Sequence, residues 1–144
     1  MTSYTVFKSS LSEDETYLLY LLYRSGSTGI SGRVRLQKMV FILKEGLKIP
    51  FGMTFTKRNF GPFSDSLMDL VTKLKSEGYV EEKMKGNEFD YTLTDEGCRF
   101  VESTVLNNVG KNMKGRIDSV IEPLSKTNVG NLTHLAYAIL ETKK

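Results

Sequence analysis

Few residues of this chain have side chains suited to covalent or metal chemistry. The 144 residues contain one cysteine, Cys98, and one histidine, His134. One chain therefore cannot supply the cluster of nitrogen and sulfur ligands that zinc prefers. A Cys–His nucleophile pair has no support either, because no local signature surrounds either residue. A small packed cysteine and a helix-surface or hydrogen-bonded buried histidine are the favoured interpretations.

Adjacent carboxylates occur at Glu81-Glu82 and at Asp95-Glu96. Acid–base catalysis by two carboxylates requires both to face one reacting group, whereas neighbours on a strand point to opposite faces. The first pair falls in a predicted strand and is therefore unsuited. The second begins a predicted helix, where acids favour the positive end of the helix dipole. We expect no enzymatic activity, no metal site and no cofactor.

Basic residues are concentrated in one part of the chain. Residues 33–58 contain seven lysines and arginines and a single glutamate, a net charge of +6, whereas the whole chain has a net charge of +3. A region of this kind attracts an anionic partner. A solvated helix face explains the same pattern equally well.

The segment 61–97 must position these side chains, and it has the pattern of a helix, a β-hairpin and the start of another helix. Ser64 is a favourable N-cap, apolar residues then recur at helical spacing, and Gly78 stands where a helix would end. Residues 79–84 and 89–93 are typical of two strands around a polar loop. Helix, hairpin and helix in this order form the second half of a winged helix-turn-helix.

The residues before this segment predict two further helices. Ser12 and Glu15 form a capping box that starts the first, and residues 32–46 predict a second, central helix. The glycine-rich connection 26–32 matches neither the dinucleotide fingerprint nor the P-loop. A short strand at 53–58 is expected to pair with the hairpin as a third strand.

The residues after the hairpin are helical in pattern. Pro123 is expected to kink or end one of these helices, and Asn128 or Asn131 to start the last. The predicted fold class is α+β: a mostly helical winged helix-turn-helix with a small antiparallel β-hairpin wing and additional C-terminal helices. We predict a single domain over 1–144, with a winged-helix core at 12–100 and a C-terminal helical extension at 101–144.

The composition favours a cytoplasmic protein. No apolar run approaches the roughly 18 residues of a membrane span, and the N-terminus lacks a basic-then-apolar leader. A single cysteine excludes an internal disulfide and fits a reducing compartment. We expect neither secretion nor insertion in a membrane.

Three short motifs carry a resemblance to known proteins. They are RLQK at residues 35–38, FGPFS at 60–64 and YTLTDEG at 91–97. With them, residues 33–100 resemble the YwgA-like proteins of bacteria and archaea and, more distantly, the Panacea antitoxin domain. The resemblance implies a winged-helix fold and a prokaryotic or viral regulatory setting. Panacea-type domains are associated with neutralising toxins by direct protein contact, and the match brings no catalytic residues with it.

Double-stranded DNA is the partner that most winged-helix domains bind, and DNA-binding transcription regulation is the first functional hypothesis. The helix at 64–77 would enter the major groove. Side chains off its apolar stripe would reach base edges: Ser64, Ser66, Asp69, Thr72 and Lys73. Basic side chains of the preceding segment would contact phosphates: Arg33, Arg35, Lys38, Lys57 and Arg58. Lys83 and Lys85 would carry the wing to a neighbouring groove, and a homodimer formed through the C-terminal helices would double these contacts.

Charge favours the alternative of a protein-binding module that acts as an antitoxin, adaptor or inhibitor. The predicted recognition helix has three acids against two lysines, and residues 79–97 have six acids against two lysines, a net charge of −4. An acidic wing repels the DNA backbone, whereas mixed charge suits complementarity to a protein such as a toxin. A purely structural subunit is the third hypothesis.

Overall fold

The fold follows from a computed structural model that describes residues 11–58 and 61–142. These residues form seven α-helices, in chain order: α1 (Glu13–Arg24), α2 (Arg33–Phe41), α3 (Asp65–Ser76), α4 (Asp95–Phe100), α5 (Leu106–Asn108), α6 (Lys111–Lys126) and α7 (Val129–Thr142). They also form five strands: β1 (Ile30–Ser31), β2 (Thr56–Arg58), β3 (Gly61–Phe63), β4 (Val80–Lys85) and β5 (Glu88–Leu93). The architecture is α+β and mostly helical, which confirms the predicted fold class.

The N-terminal helix α1 is the centre of the core. Its predicted capping box is present, because Ser12 N–H donates to Glu15 Oε1 at 2.9 Å and Glu15 N–H donates to Ser12 Oγ at 3.1 Å. Every residue from 15 to 22 is buried, so the helix is enclosed on all sides rather than amphipathic. Strand β5, residues 101–105, α6 and α3 contact it.

Helix α3 begins and ends as its sequence predicts. Ser64 Oγ accepts a hydrogen bond from the Leu67 amide at 3.1 Å, which satisfies a free donor at the helix start. The buried face consists of Leu67, Val71 and Leu74. Gly78, at φ +86°, ends the helix in the left-handed conformation that glycine adopts without strain.

The predicted wing is confirmed as an antiparallel hairpin of β4 and β5. Their register runs from Val80 opposite Leu93 to Lys85 opposite Glu88. The third strand of the sheet is β1, which pairs with β5 and gives the order β1-β5-β4. This corrects the expected pairing of residues 53–58 with the wing.

Strand β2 pairs instead with β3 in a separate two-stranded sheet. Thr56 lies opposite Phe63, and Arg58 lies opposite Gly61. This small hairpin stands between α2 and α3, and β3 contacts both α2 and α7. The strand at 53–58 was therefore predicted in nearly the right place but with the wrong partner.

The C-terminal helices pack on the winged core. Helix α6 contacts α1, where Tyr20 Oη donates to Asp118 Oδ1 at 2.7 Å, and α7 lies along α2. Helix α6 continues through Pro123 to Lys126. Pro123 was expected to kink or end this helix; it does not end it, and the kink stays a prediction. Asn128 starts α7 by accepting from the Asn131 amide at 2.8 Å.

Two helices contain a wider, π-helical turn. Helix α2 continues as a π turn over Ile42–Gly46, where the Leu47 amide donates to the Ile42 carbonyl at 3.3 Å. A second π turn, Val101–Val105, joins α4 to α5. The predicted second helix therefore has the expected length but not a uniform geometry.

Candidate functional site

The outer face of α3 is an exposed polar stripe. Asp65, Asp69, Thr72 and Ser76 recur every three or four residues, opposite the buried leucines and valine, and all four are exposed. This stripe contains two acids and no base. The geometry leaves α3 free to present it to a partner, as a winged-helix recognition helix would.

The two lysines of α3 are on its flanks and are held by neighbouring elements. Lys73 Nζ donates to Glu15 Oε2 of α1 at 2.8 Å, and Lys75 Nζ donates to Glu82 Oε1 of β4 at 3.1 Å. Burial raises the pKa of Glu15, but hydrogen bonds from Lys73 and Ser12 outweigh it and hold the pKa below its usual value. The hydrogen bond to Glu15 raises the pKa of Lys73. Lys73 therefore connects α3 with α1 instead of standing on the outer stripe.

A hydrogen-bonded cluster midway along the wing joins four elements, α2, α3, β4 and β5. The fully buried Tyr91 donates its hydroxyl proton to Glu82 Oε2 at 2.9 Å and accepts from Arg33 Nε at 3.3 Å. Burial raises the pKa of Tyr91 to about 12. Burial of Glu82 is outweighed by hydrogen bonds from Lys75 and Tyr91, so its pKa is lowered. Arg33 also covers the ring of Phe89, with its guanidinium carbon 4.6 Å from the ring centroid.

Arg35 caps the end of α6. Its Nη1 donates to the carbonyls of Leu124, Ser125 and Thr127 at 3.1, 3.3 and 2.6 Å. These carbonyls belong to the last helical turn, whose acceptors lack partners within the helix. In this conformation Arg35 stabilises the C-terminal extension on the core, rather than reaching toward a DNA phosphate as predicted.

Lys38 and Ser64 are enclosed, and each has a relative exposure of 1 %. Burial lowers the pKa of Lys38, and its Nζ lies beneath Gly61, where an added Cβ would be 3.5 Å away. The predicted phosphate contact of Lys38 and base contact of Ser64 conflict with this burial. Sequence periodicity placed both off the apolar stripes because it could not predict the contacts that enclose them, which are Gly61 over Lys38 and Gln37 beside Ser64.

Gln37, which the sequence analysis did not select, joins two of the three motifs. Its Nε2 donates to the Ser64 carbonyl at 2.9 Å, and its Oε1 accepts from the Ser64 amide at 2.7 Å. Both motifs therefore meet at one point between α2 and the turn before α3. A cavity of about 220 Å³ lies beside this point, lined by Val34, Arg58 and Pro62 among others. The occurrence of both motifs in one chain is the signal that could have identified Gln37.

The remaining basic residues of the predicted site are exposed. Arg58 is paired with Asp65 at 2.8 Å, and Lys57 Nζ lies 5.7 Å from the ring centroid of Tyr137. On the wing, Lys83 stands opposite Asp90 and Lys85 opposite Glu88. The predicted base-contacting Ser66, Asp69 and Thr72 are exposed on α3, so the structure brings together only part of the predicted set.

Cys98 and His134 lie on different helices, α4 and α7. Burial is the main cause that raises the pKa of the Cys98 thiol, and Glu102 raises it further, so the thiolate that a nucleophile requires is disfavoured. Within residues 11–58 and 61–142, no three His, Cys, Asp or Glu side chains are grouped so that they could hold a metal ion.

The last helix has a half-exposed apolar residue. Leu132 and Ala136 of α7 are buried, whereas Leu135 is 42 % exposed. Met84 at the wing tip is 60 % exposed. In the part of the chain that the structure describes, these are the two exposed large hydrophobic side chains.

These features define a mostly helical α+β protein with a winged-helix-like arrangement, in which the outer stripe of α3 is exposed and contains two acids. The chain is similar to the uncharacterized protein YwgA of Bacillus subtilis strain 168, with 36 % identity over 100 residues. The match covers 67 % of this chain and 58 % of YwgA, so the chain spans less than two thirds of that relative. No protein family model matches the chain. Among the described residues, every helix is too short or too polar to span a bilayer.

Proposed function

We propose that this chain is a regulatory module of the YwgA-like family that binds a protein partner through the outer face of α3. The observation that carries this proposal is that both lysines of α3 lie on its flanks, where Lys73 pairs with Glu15 and Lys75 pairs with Glu82. The outer stripe that remains has two acids among polar neighbours: Asp65, which pairs with Arg58 at 2.8 Å, and Asp69. A partner that brings a basic group to Asp69 is therefore the one its charge fits.

The same arrangement disfavours DNA as the partner of α3. Phosphate neutralisation by Lys and Arg supplies most of the non-specific affinity for DNA, and α3 offers neither on its outer stripe. Arg35 and Lys38 are committed to the fold. The distant resemblance to Panacea domains supports an antitoxin-like role, in which the module neutralises a partner by direct contact.

Site-specific photocrosslinking in the native host tests the proposal. A photoreactive residue at Thr72, on the outer stripe, should give one covalent adduct with a basic protein. The same residue at Ser119, exposed on α6, is the matched control and should not give that adduct. Asp69→Lys should reduce the Thr72 adduct several-fold. Equal adducts at Thr72 and Ser119, or no loss with Asp69→Lys, would refute the assignment.

DNA binding is the second candidate, and the exposed Lys57, Arg58, Lys83 and Lys85 favour it. Fluorescence anisotropy with random duplex DNA at low and moderate salt distinguishes the two. We expect that the chain shows no salt-sensitive binding to the duplex DNA. Steep salt dependence that is reduced by Lys57→Glu would instead favour the DNA-binding regulator.

A further inference from the structure

The cavity of about 220 Å³ beside Gln37 lies between α2 and the hairpin of β2 and β3. The described residues that line it come from these three elements: Val34, Gln37, Lys38, Arg58, Gly61, Pro62 and Phe63. Four of them are buried and form its floor, whereas Val34 and Phe63 are half-buried and Arg58 is exposed. The cavity therefore opens to solvent beside these last three residues.

The size and the walls of this cavity fit one small apolar group. Its surface is mostly apolar, and the apolar side chains that line it are those of Val34, Pro62 and Phe63. An apolar cavity of about 150 Å³ is large enough to hold a benzene ring, whereas sites for drug-sized ligands have about 300–1,000 Å³. The cavity therefore has room for a single ring with a small substituent.

Arg58 places a guanidinium at the mouth of the cavity. Its Nη2 donates to Asp65 Oδ2 at 2.8 Å, and its guanidinium carbon lies 4.7 Å from the centroid of the Phe63 ring. A guanidinium has five N–H donors, so the bond to Asp65 leaves donors for a ligand. Its planar fork matches the geometry of a carboxylate.

A second basic side chain lies in the floor. Lys38 is 1 % exposed, and its Nζ is 3.5 Å from the position that a Cβ on Gly61 would occupy. Burial lowers the pKa of Lys38, because a surrounding of low dielectric disfavours the ammonium. A carboxylate in the cavity would offset this cost, since charges attract more strongly where water is excluded. Lys38 can thus favour an anionic ligand through its charge, without donating a hydrogen bond to it.

We infer that this cavity binds a small aromatic monocarboxylic acid, with its ring against the apolar wall and its carboxylate on Arg58. The ligand carboxylate and Asp65 then compete for the same guanidinium. Asp65 therefore opposes the ligand, whereas the charge of Lys38 favours it. The inference concerns a small-molecule site and does not depend on the protein partner proposed for α3.

A titration of the chain with 4-fluorobenzoate, followed by fluorine NMR, tests the inference. We expect saturable binding with a dissociation constant of about 1 mM or tighter. 4-Fluorobenzyl alcohol has the same ring without the charge and should bind at least about tenfold more weakly. Inorganic phosphate at the same concentration should not displace the acid, because it lacks the ring. Absence of saturation, equal binding of the alcohol, or displacement by phosphate would overturn the inference.

Substitutions at the mouth of the cavity should change the affinity in opposite directions. Arg58→Gln should weaken the binding of 4-fluorobenzoate about tenfold, because it removes a charged donor. Asp65→Asn should tighten it several-fold, because the competing carboxylate is gone. Lys57→Gln is the matched control: it makes the same charge change at the next residue of β2, whose Nζ lies 5.7 Å from the Tyr137 ring centroid. Equal losses in Arg58→Gln and Lys57→Gln, or weaker binding by Asp65→Asn, would contradict the assignment.

Substitutions inside the cavity test its walls and floor. Val34→Phe should fill the space and abolish binding without changing the charge. Lys38→Met preserves the length of the side chain but removes its charge, and should weaken binding several-fold. Undiminished binding by Val34→Phe would exclude this cavity as the site. Asp69→Lys, which tests the outer stripe of α3, should bind 4-fluorobenzoate as the wild type does, so the two proposals fail separately.

Photolabelling locates the ligand directly. Irradiation of the chain with 4-azidobenzoate, followed by peptide mass spectrometry, should modify residues that line the cavity on α2 or β3. An excess of 4-fluorobenzoate should suppress this modification. A label on α6 or α7 that 4-fluorobenzoate suppresses, with none on α2 or β3, would place the binding site elsewhere and refute the inference.

Discussion

The side-chain amide of Gln37 makes two hydrogen bonds to the main chain of Ser64, at 2.9 and 2.7 Å, in a buried position. Gln37 thereby satisfies both polar groups of the residue that caps α3. A chain segment that enters a buried helix end needs such partners, since an unpaired buried amide or carbonyl is costly. One residue of α2 thus fixes where α3 begins.

Replacement of Gln37 by methionine should therefore destabilise the fold. The variant preserves side-chain volume but leaves the Ser64 amide and carbonyl without partners, and we expect a loss of about 2–4 kcal/mol in the free energy of unfolding. Urea denaturation measures it. Asn108→Met, at an exposed amide of α5, is the control and should change stability by less than about 0.5 kcal/mol. Similar losses in both would contradict this role.

Two helical glycines should respond to alanine with opposite signs. A Cβ on Gly97 of α4 would lie 2.1 Å from the Tyr79 carbonyl oxygen, whereas one on Gly115 of α6 would meet nothing within 4 Å. Gly97→Ala should destabilise by about 1–3 kcal/mol through overpacking. Gly115→Ala should stabilise by up to about 1 kcal/mol through helix propensity. Thermal unfolding of both variants checks the pair, and a stable Gly97→Ala protein would refute the contact.

The Glu15–Lys73 pair should make stability depend on pH. The pKa of Glu15 is lowered by folding, so its contribution is present above the ordinary value of 4.5 and is lost as the pH falls through the lowered value. Glu15→Gln should be less stable than the wild type near neutral pH. The difference should shrink as the pH falls from about 5 through the lowered pKa of Glu15. Urea midpoints across this range test it, and a constant difference would exclude the ionised pair as the cause.

Arg35→Ala should weaken the attachment of the C-terminal extension. Removing a charged donor from three carbonyls at the end of α6 should cost about 2 kcal/mol. Arg35→Lys should recover only part of it, because an ammonium lacks the guanidinium's fork. Lys126→Ala, which changes an exposed pair with Glu122, is the control and should cost less than about 1 kcal/mol. Limited proteolysis measures this attachment, and α6 should be cleaved faster in Arg35→Ala than in the wild type. Equal cleavage rates would contradict the prediction.

The sequence correctly predicted those elements whose ends are determined by residues close together in the chain. The capping box of Ser12 and Glu15, the Ser64 cap and the turn around Gly86 each combine a few adjacent residues with a defined geometry. Hydrophobic spacing predicted the buried side of α3, where Leu67, Val71 and Leu74 are buried. For this reason the helix–hairpin–helix order of the wing was predicted correctly from the chain alone.

Pairings between distant segments were not predictable in the same way. Strand β1 has two residues, Ile30 and Ser31, too few for alternation to be recognised. The hairpin of β2 and β3 covers Lys38, so a residue on a polar helix position became buried. The predicted phosphate contact of Arg35 was wrong for a related reason. The carbonyls that accept its hydrogen bonds lie about ninety positions further along the chain.

The π turn at Ile42–Gly46 has a consequence for sequences similar to this chain. Its i→i+5 bond from Leu47 to Ile42 accommodates one more residue than a regular α-helical turn over the same rise. Deleting a single residue there would restore ordinary α-helical winding without moving either end of the segment. Homologues of different length should therefore differ by a one-residue gap at this turn. Such a gap would mark an α-helical turn in place of the π turn.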